Sequence, residues 1–90
     1  MYTISYSIVP KEGPPGTIVT ITGKGLGETK EDVVGLEING ESVIGSLIWI
    51  SPTAIKATVG KAGGKGSVRI WLRSGAVGQS HVTFTCILPL

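Results

Sequence analysis

The sequence predicts an all-β sandwich of about seven short strands. Fourteen glycines and five prolines divide the 90 residues into pieces of strand length. Most pieces alternate apolar and polar residues with the period of two that a half-buried strand shows, and no segment keeps the 3.6-residue period of an amphipathic helix. Short strands at this spacing are typical of two packed sheets. The length predicts a single domain over residues 1–90.

The first two predicted strands flank a proline-rich segment. Residues 10–16 contain three prolines and are expected to form a turn, because proline has no N–H to give to a ladder. The β-branched run 17–22 follows as the second strand. The predicted inward rows are Tyr2, Ile4, Tyr6 and Ile8 in the first strand, and Val19 and Ile21 in the second.

The middle of the chain predicts a loop and a hairpin. Residues 23–32 are expected to form a polar loop with one apolar residue, Leu26, directed inward. The next strand ends at Asn39-Gly40, a pair that favours a type I′ turn because both central residues adopt positive φ. A short return strand, Ser42–Ile44, is expected to follow. The inward row of the outgoing strand is predicted to be Val34, Leu36 and Ile38.

The second half predicts further strands on both sides of a glycine-rich loop. The apolar run Leu47–Ile50 contains Trp49, which its neighbours place in the core. Residues 60–66 hold four glycines and are expected to be a flexible loop. The predicted inward rows on its two sides are Ile55, Ala57 and Val59, then Val68, Ile70 and Leu72, and finally Val82, Phe84 and Cys86.

The charges and the single cysteine limit the possible settings. The net charge of +2 is too small to imply nucleic acid, although residues 42–90 hold five basic residues and no acid. Interleaving of the chain in a sandwich is one expected outcome for this asymmetry, and a basic surface is the other. Cys86 has no partner for a disulfide, so a cytoplasmic protein is expected. No stretch predicts a transmembrane segment.

The residue types also argue against catalysis. His81 and Cys86 are five residues apart on a predicted strand and therefore face opposite sides, which excludes a Cys–His nucleophile. A metal site needs three or four ligands, and these residues supply too few. We therefore expect no enzyme activity, no cofactor and no metal.

One outward row of side chains is a candidate contact surface. Arg69, Trp71 and Arg73 alternate on the outward side of their predicted strand. An aromatic ring between two guanidinium groups is typical of a docking patch or a site for anions. The alternative is a tryptophan that the arginine side chains shield or a loop covers.

The segment Pro10–Gly23 resembles the opening of IPT/TIG domains. It contains a Pro, a Gly-Pro, a Gly-Thr and then Val-Thr-Ile-x-Gly at the spacing of that family. Segments 32–38, 49–51, 55–60 and 74–84 are similar, in order, to the Ral-binding IPT/TIG domains of the exocyst. This resemblance covers about Ile4 to Phe84 and implies an immunoglobulin-like sandwich of the E-set type.

The resemblance also implies a partner and a docking site. In the Ral-binding domains, the first strand pairs as an open edge with a strand of GTP-loaded Ral, a small GTPase. This implies a non-catalytic effector in exocytosis, recruited to the plasma membrane through its partner. A proline at Ser5 or Ser7 is then expected to break the pairing. The implied site residues are Ser5, Tyr6, Ser7, Thr22 and Lys24.

Two positions depart from the Ral-binding pattern. Tyr6 stands where those domains have threonine, and Thr22 stands where they have arginine. Loss of the arginine removes a charged donor, and interfacial charge pairs carry much of the selectivity of an interface. Two other interpretations therefore stay open, a transcription-factor-type IPT module that dimerises and a structural spacer domain.

Overall fold

Two β-sheets face each other across one apolar core. The computed structural model describes residues 6–61, 63–75 and 82–87, and this architecture confirms the predicted immunoglobulin-like sandwich. Tyr2, Ile4, Ser5 and His81 lie outside the described residues. Nine strands lie in the described part rather than about seven, and two of them have only two residues each.

The strands form a four-stranded and a five-stranded sheet. The first has the order β1-β3-β7-β6, and the second has the order β2-β9-β8-β4-β5. All neighbouring strands are antiparallel except β2 and β9. The strands are β1 Tyr6–Val9, β2 Glu12–Gly13, β3 Ile18–Gly23, β4 Val33–Ile38, β5 Glu41–Ser42, β6 Ile48–Ser51, β7 Ala54–Thr58, β8 Gly64–Leu72 and β9 Thr83–Cys86.

The core is filled by the predicted inward rows of both sheets. Leu26 reaches the core from its loop, as predicted, where its N–H donates to the carbonyl of Pro52 at 2.9 Å. Trp49 packs against the core only partly buried, and its Nε1 donates to the carbonyl of Leu26 at 3.3 Å. The predicted residues that are buried are Tyr6, Ile8, Val19, Ile21, Leu26, Leu36, Ile38, Ile55, Ala57, Val59, Val68, Ile70, Leu72, Phe84 and Cys86.

Strand β4 corrects the prediction for Val34. Val33 faces the core and is 5% exposed, whereas Val34 is 54% exposed. The register with β8 shifts between Val33 and Gly35, so one extra residue bulges out of the ladder. Such a bulge reverses the side of the sheet that the preceding residues face. Alternation alone could not locate it.

The proline-rich segment does more than turn the chain. Within residues 10–16, strand β2 pairs in parallel with β9, although only a turn was predicted there. The N–H of Thr85 donates to the carbonyl of Lys11 at 3.0 Å, and the N–H of Ile87 donates to that of Gly13 at 2.8 Å. The segment therefore transfers the chain from one sheet to the other.

The hairpin after β4 forms as predicted, but its return strand is shorter. Asn39 and Gly40 have φ values of 58° and 78°, as a type I′ turn requires. Strand β5 then covers Glu41–Ser42 instead of Ser42–Ile44, and a short 3-10 turn follows at Ile44–Ser46.

The predicted glycine-rich loop is partly strand. Strand β8 begins at Gly64, and residues 64–67 pair with β9. A Cβ atom on Gly66 would lie 2.7 Å from the Cα of Asn39, so this glycine permits a close approach of two backbones. Glycine in this segment therefore serves strand packing as well as the turn.

The bulge in β4 gives the first testable prediction. Val33→Ala removes buried methyl groups and should lower the free energy of unfolding by about 1.5–3 kcal/mol. Val34→Ala is the matched control and should change it by less than about 0.5 kcal/mol, because its side chain is exposed. Urea unfolding of both variants measures the difference. A larger loss in Val34→Ala would mean that the ladder has no bulge at this point.

Candidate protein-binding site

Strand β1 lies at the edge of the four-stranded sheet. Within the described part of the chain its one strand partner is β3, with Ser7 opposite Thr22 and Val9 opposite Thr20. An edge strand presents backbone N–H and C=O groups that can pair with a strand of another protein. The strand that the sequence resemblance implied as the docking site, β1, therefore lies at an edge.

The register identifies which backbone groups of β1 face outward. The N–H of Gly23 donates to the carbonyl of Thr53 on the β7 side, so the alternate residues of β3, including Thr22, point their backbone groups toward β1. Ser7 and Val9, which lie opposite Thr22 and Thr20, must then pair with β3. The backbone groups of Ile8 consequently point away from β3, toward the edge.

This geometry corrects the expectation for proline at Ser7. Its N–H faces β3, so a proline there would break the protein's own ladder rather than the outer edge. The informative position is Ile8, which the sequence analysis assigned only to the core. On β1, the residues with side chains in the core are the ones whose N–H groups point away from β3. This coupling could have identified Ile8 from the sequence. Ser5 lies outside the described residues.

Strand β1 is also the least protected of the described edges. It contains no charged residue and no proline. The edges β2 and β5 are two residues long and each carries a glutamate, Glu12 or Glu41. The edge β6 has a register irregularity between Trp49 and Ser51. Charges, short length and bulges are the features that discourage pairing at an edge.

Tyr6 anchors β1 to the opposite sheet. Its side chain is buried, and its hydroxyl donates to the carbonyl of Val68 on β8. The phenol ring therefore points into the core, as the sequence alternation predicted, and not toward a partner. The anchor holds the edge strand in position from behind.

Thr22 and Lys24 lie on the neighbouring strand and its end. The hydroxyl of Thr22 is exposed and lies 3.0 Å from the hydroxyl of Ser7, across the β1–β3 pair. Lys24 follows the last residue of β3 and is exposed. The structure thus brings Ser7, Thr22 and Lys24 to the same sheet edge, with Lys24 as their one charge.

Arg69, Trp71 and Arg73, the second predicted patch, each lie beside a different residue of the chain. Trp71 is half-buried opposite Gly35, and a Cβ on that glycine would lie 2.8 Å from the Cε3 of the indole. Arg73 donates from Nη2 to Oδ1 of Asp32 at 2.7 Å. Arg69 lies opposite Glu37 in the register. The sandwich therefore interleaves acidic and basic residues on this face.

Asp32 organises the turn beside Arg73. The N–H of Glu28 donates to its Oδ2 at 2.8 Å and is the main cause of a pKa below the ordinary value. The N–H of Thr29 and the guanidinium of Arg73 lower the pKa further, while partial desolvation opposes them. Because Arg73 remains largely exposed, we assign this ion pair a structural role in the turn rather than a large stabilisation.

A cleft of about 600 Å³ lies beside this ion pair. Gly25, Pro52 and Leu72 contribute to its lining, together with Asp32 and Arg73. The acid and the base in that wall already bind each other, which leaves them poorly placed to orient a small molecule. The open edge of β1 is therefore the stronger candidate site.

The described residues form neither a metal site nor a membrane-spanning helix. They contain no group of three His, Cys, Asp or Glu side chains that could hold a metal ion. They also form no helix long and apolar enough to cross a membrane. Cys86 is a buried free thiol on β9.

The fold and its open edge define an immunoglobulin-like sandwich domain. The sequence model of the IPT/TIG domain family matches residues 4–86, and the chain belongs to that family. Exocyst complex component 2 of Drosophila melanogaster is 48% identical over 75 residues, which cover 83% of this chain. The human exocyst complex component 2 is 39% identical over 83 residues, or 91% of this chain. The chain spans 8% and 9% of the length of these two relatives.

Solved structures with low sequence identity share the fold. An auxiliary nutrient binding protein of Bacteroides ovatus matches with a TM-score of 0.76 and 18% identity, over 96% of this chain and 21% of that one. A second from Bacteroides thetaiotaomicron gives a TM-score of 0.78 at 16% identity, with the same coverage of 96% and 21%. At such identities the likeness concerns the sandwich alone.

The anchor formed by Tyr6 gives the second prediction. Tyr6→Phe keeps the ring but leaves the Val68 carbonyl without this donor, so the free energy of unfolding should fall by about 1–3 kcal/mol. Thr22→Val removes the exposed hydroxyl pair with Ser7 and should cost less than about 0.5 kcal/mol. Urea unfolding compares the two variants. Equal losses would show that the phenol hydroxyl does not anchor β1.

The environment of Asp32 gives a prediction for pH. A lowered folded-state pKa means that the charged carboxylate stabilises the fold above the ordinary pKa of 3.8, and that this contribution is lost as the pH falls through the folded-state value. The melting temperature of the wild type should therefore be higher than that of Asp32→Asn at pH 7, and this difference should disappear in acid. Thermal unfolding between pH 7 and about pH 2 tests this. Glu31→Gln, in the same turn, is the control, and a gap that widened in acid would contradict the assignment.

Proposed function

We propose that this chain is a non-catalytic protein-binding module that docks a Ral-type small GTPase in its GTP-bound state. The GTPase adds an edge strand to β1 and extends the four-stranded sheet across both proteins. The observation that carries the proposal is the uncharged edge of β1, with the backbone groups of Ile8 directed outward. The resemblance to Ral-binding IPT/TIG domains suggests the partner, and the exocyst relatives support that resemblance.

The edge of β1 suits this task because its strand is held before the partner arrives. The hydroxyl of Tyr6 ties β1 to β8, and the ladder of Ser7 and Val9 ties it to β3. A strand that is already ordered loses little conformational entropy on binding. Dependence on GTP would come from the partner, since the γ-phosphate orders the switch segments of small GTPases.

The two departures from the Ral-binding pattern change the chemistry of the edge. Tyr6 turns its side chain into the core, so its ring makes no contact with the partner. Thr22 supplies a hydroxyl already engaged with Ser7 where the family pattern has a guanidinium. Binding would then depend on backbone pairing and apolar contact, with Lys24 as the nearby charge. We expect the affinity, as distinct from the association rate, to depend only weakly on salt as a result.

The exocyst relatives suggest the setting. They are components of the exocyst complex, and this chain covers less than a tenth of their length. We propose that the domain serves as the GTPase-sensing part of such a subunit, in the cytoplasm, and that the partner recruits it to the plasma membrane.

A dimerisation module is the second candidate function. The same open edge of β1 could pair antiparallel with β1 of a second copy, because nothing in its four residues discourages it. Sedimentation equilibrium separates the two functions. A concentration-dependent dimer that dissociates when the GTPase is added would show that both partners use this edge.

The test of GTPase docking is a titration followed by amide exchange. Calorimetry should show binding to Ral loaded with a GTP analogue and at least tenfold weaker binding to Ral with GDP. NMR hydrogen exchange should then show that the Ile8 N–H, which faces the edge in the free chain, is protected in the complex. The Ser7 and Val9 N–H groups should be protected in both states, since β3 pairs with them.

The amide of Ala57 is the internal control. It lies in β7, which has a strand on each side, and should exchange equally slowly in both states. If Ral–GTP binds but the Ile8 amide is unchanged, the partner is right and the edge-pairing mechanism is wrong. If neither nucleotide state of Ral binds, the proposed partner is wrong.

A further inference from the structure

The outer face of the four-stranded sheet exposes an unusual share of the large aliphatic side chains. Six large hydrophobic residues are exposed in the described part of the chain, and four of them lie on this face. Surface aliphatics gathered in one patch are typical of an interaction site. The four are Val9 at 64%, Ile18 at 61%, Ile48 at 58% and Ile50 at 49% exposed.

This face is also nearly free of charge. The strands β1, β3, β6 and β7 contain no Asp or Glu, and Lys56 is their one charged residue. The outward residues of β1 and β3 are all uncharged. Lys24 stands past the end of β3, and Lys56 stands on β7. Lys24 therefore lies beyond one end of the uncharged area, and Lys56 lies beside it on the next strand.

The register shows how far each aliphatic residue lies from the docking edge. Val9 pairs with Thr20, Thr20 with Lys56, and Lys56 with Ile48, so these four form one row across the sheet. Neighbouring strands are about 4.8 Å apart. A strand added beside β1 would thus lie about 5 Å from β1 itself, about 10 Å from β3 and about 19 Å from β6.

An edge strand of an α/β protein such as a GTPase is accompanied by the helices that cover its sheet. The sheets of such proteins are covered by helices on both faces, and a helix with its side chains is about 10–12 Å wide. An element beside the added strand would therefore overlie β1 and β3 but would not reach β6. Val9 and Ile18 fall within that reach, and Ile48 falls outside it.

We infer that the docking surface extends from the edge of β1 onto Val9 and Ile18. This inference rests on the proposed function, and it names the side chains through which the GTPase is selected. The fitting partner surface carries aliphatic side chains over Val9 and Ile18 and carboxylates at its border, opposite Lys24 and Lys56. Side-chain burial here replaces the charged contact that Thr22 no longer provides.

A second copy of the chain fits this face less well. Two such faces stacked around a two-fold axis through the patch would bring Lys56 toward Lys56 of the other copy with no acid to separate them. Like charges opposed in an apolar interface are unfavourable. The patch is therefore suited to a different protein with acidic residues at its border.

The test compares matched threonine variants on one face. Val9→Thr and Ile18→Thr keep β-branched side chains in the strands and remove apolar area, so each should raise the Kd for Ral–GTP by about 3–10-fold. Ile48→Thr is the matched control, with similar exposure at the far edge, and should change the Kd by less than about twofold. Calorimetry measures affinity, and thermal unfolding confirms that all three variants keep their fold.

The role of the charge at the border is tested by measuring the rate of association. Lys56→Glu should slow association with Ral–GTP, and the effect should fade as ionic strength rises, whereas Lys61→Glu, in the connection from β7 to β8 of the other sheet, should have little effect. If wild type binds but neither Val9→Thr nor Ile18→Thr weakens binding, this inference is wrong and the proposed function stands. An equal loss in Ile48→Thr also overturns it. If wild type does not bind Ral, the proposed function itself fails.

Discussion

The burial of Tyr6 and Ile8 in the core determines what the edge of the molecule can do. In a β-strand, a residue's side-chain direction and its backbone hydrogen-bonding direction both alternate with the same period of two. Once these two side chains point inward, Ser7 and Val9 must pair with β3, and the backbone groups of Ile8 must face the edge. A shift of the β1 register by one residue would expose the side chains of Tyr6 and Ile8. It would also turn the backbone groups of Ile8 from the edge toward β3. Core packing and the backbone groups that β1 presents at the edge are therefore set by the same register.

The remaining edges show that the openness of β1 is selective. The β2 and β5 edges are short and acidic, and β6 has an irregular ladder. Each feature makes the addition of a foreign strand unfavourable. Only β1 combines an uncharged strand with an anchor to the opposite sheet, through the Tyr6 hydroxyl and the Val68 carbonyl. The sandwich thus offers a partner strand one favourable position among its described edges.

Alternation was enough to predict most of the core, because each inward row depends only on local sequence. It failed at Val34, where the β4–β8 ladder shifts, since a bulge is a property of two strands and not of one. It also missed β2, whose two residues form a strand only because β9 lies beside them. The candidate site followed the same rule. Tyr6 was placed correctly by its row, whereas the outward amide of Ile8 required the pairing with β3.

The exposed face beside β1 raises the question of how the chain avoids self-association. An uncharged edge next to Val9 and Ile18 is a hazard in the free protein, because any extended strand could add to it. Two features reduce that hazard. β1 has only four described residues, which limits the number of backbone bonds that a chance partner gains. Lys56 places a positive charge on the face without a neighbouring acid in its sheet, so stacking of two identical faces meets repulsion while an acidic partner meets attraction. The lysine thereby disfavours a second copy stacked on this face relative to a partner with acidic residues, a distinction that apolar contact alone cannot make.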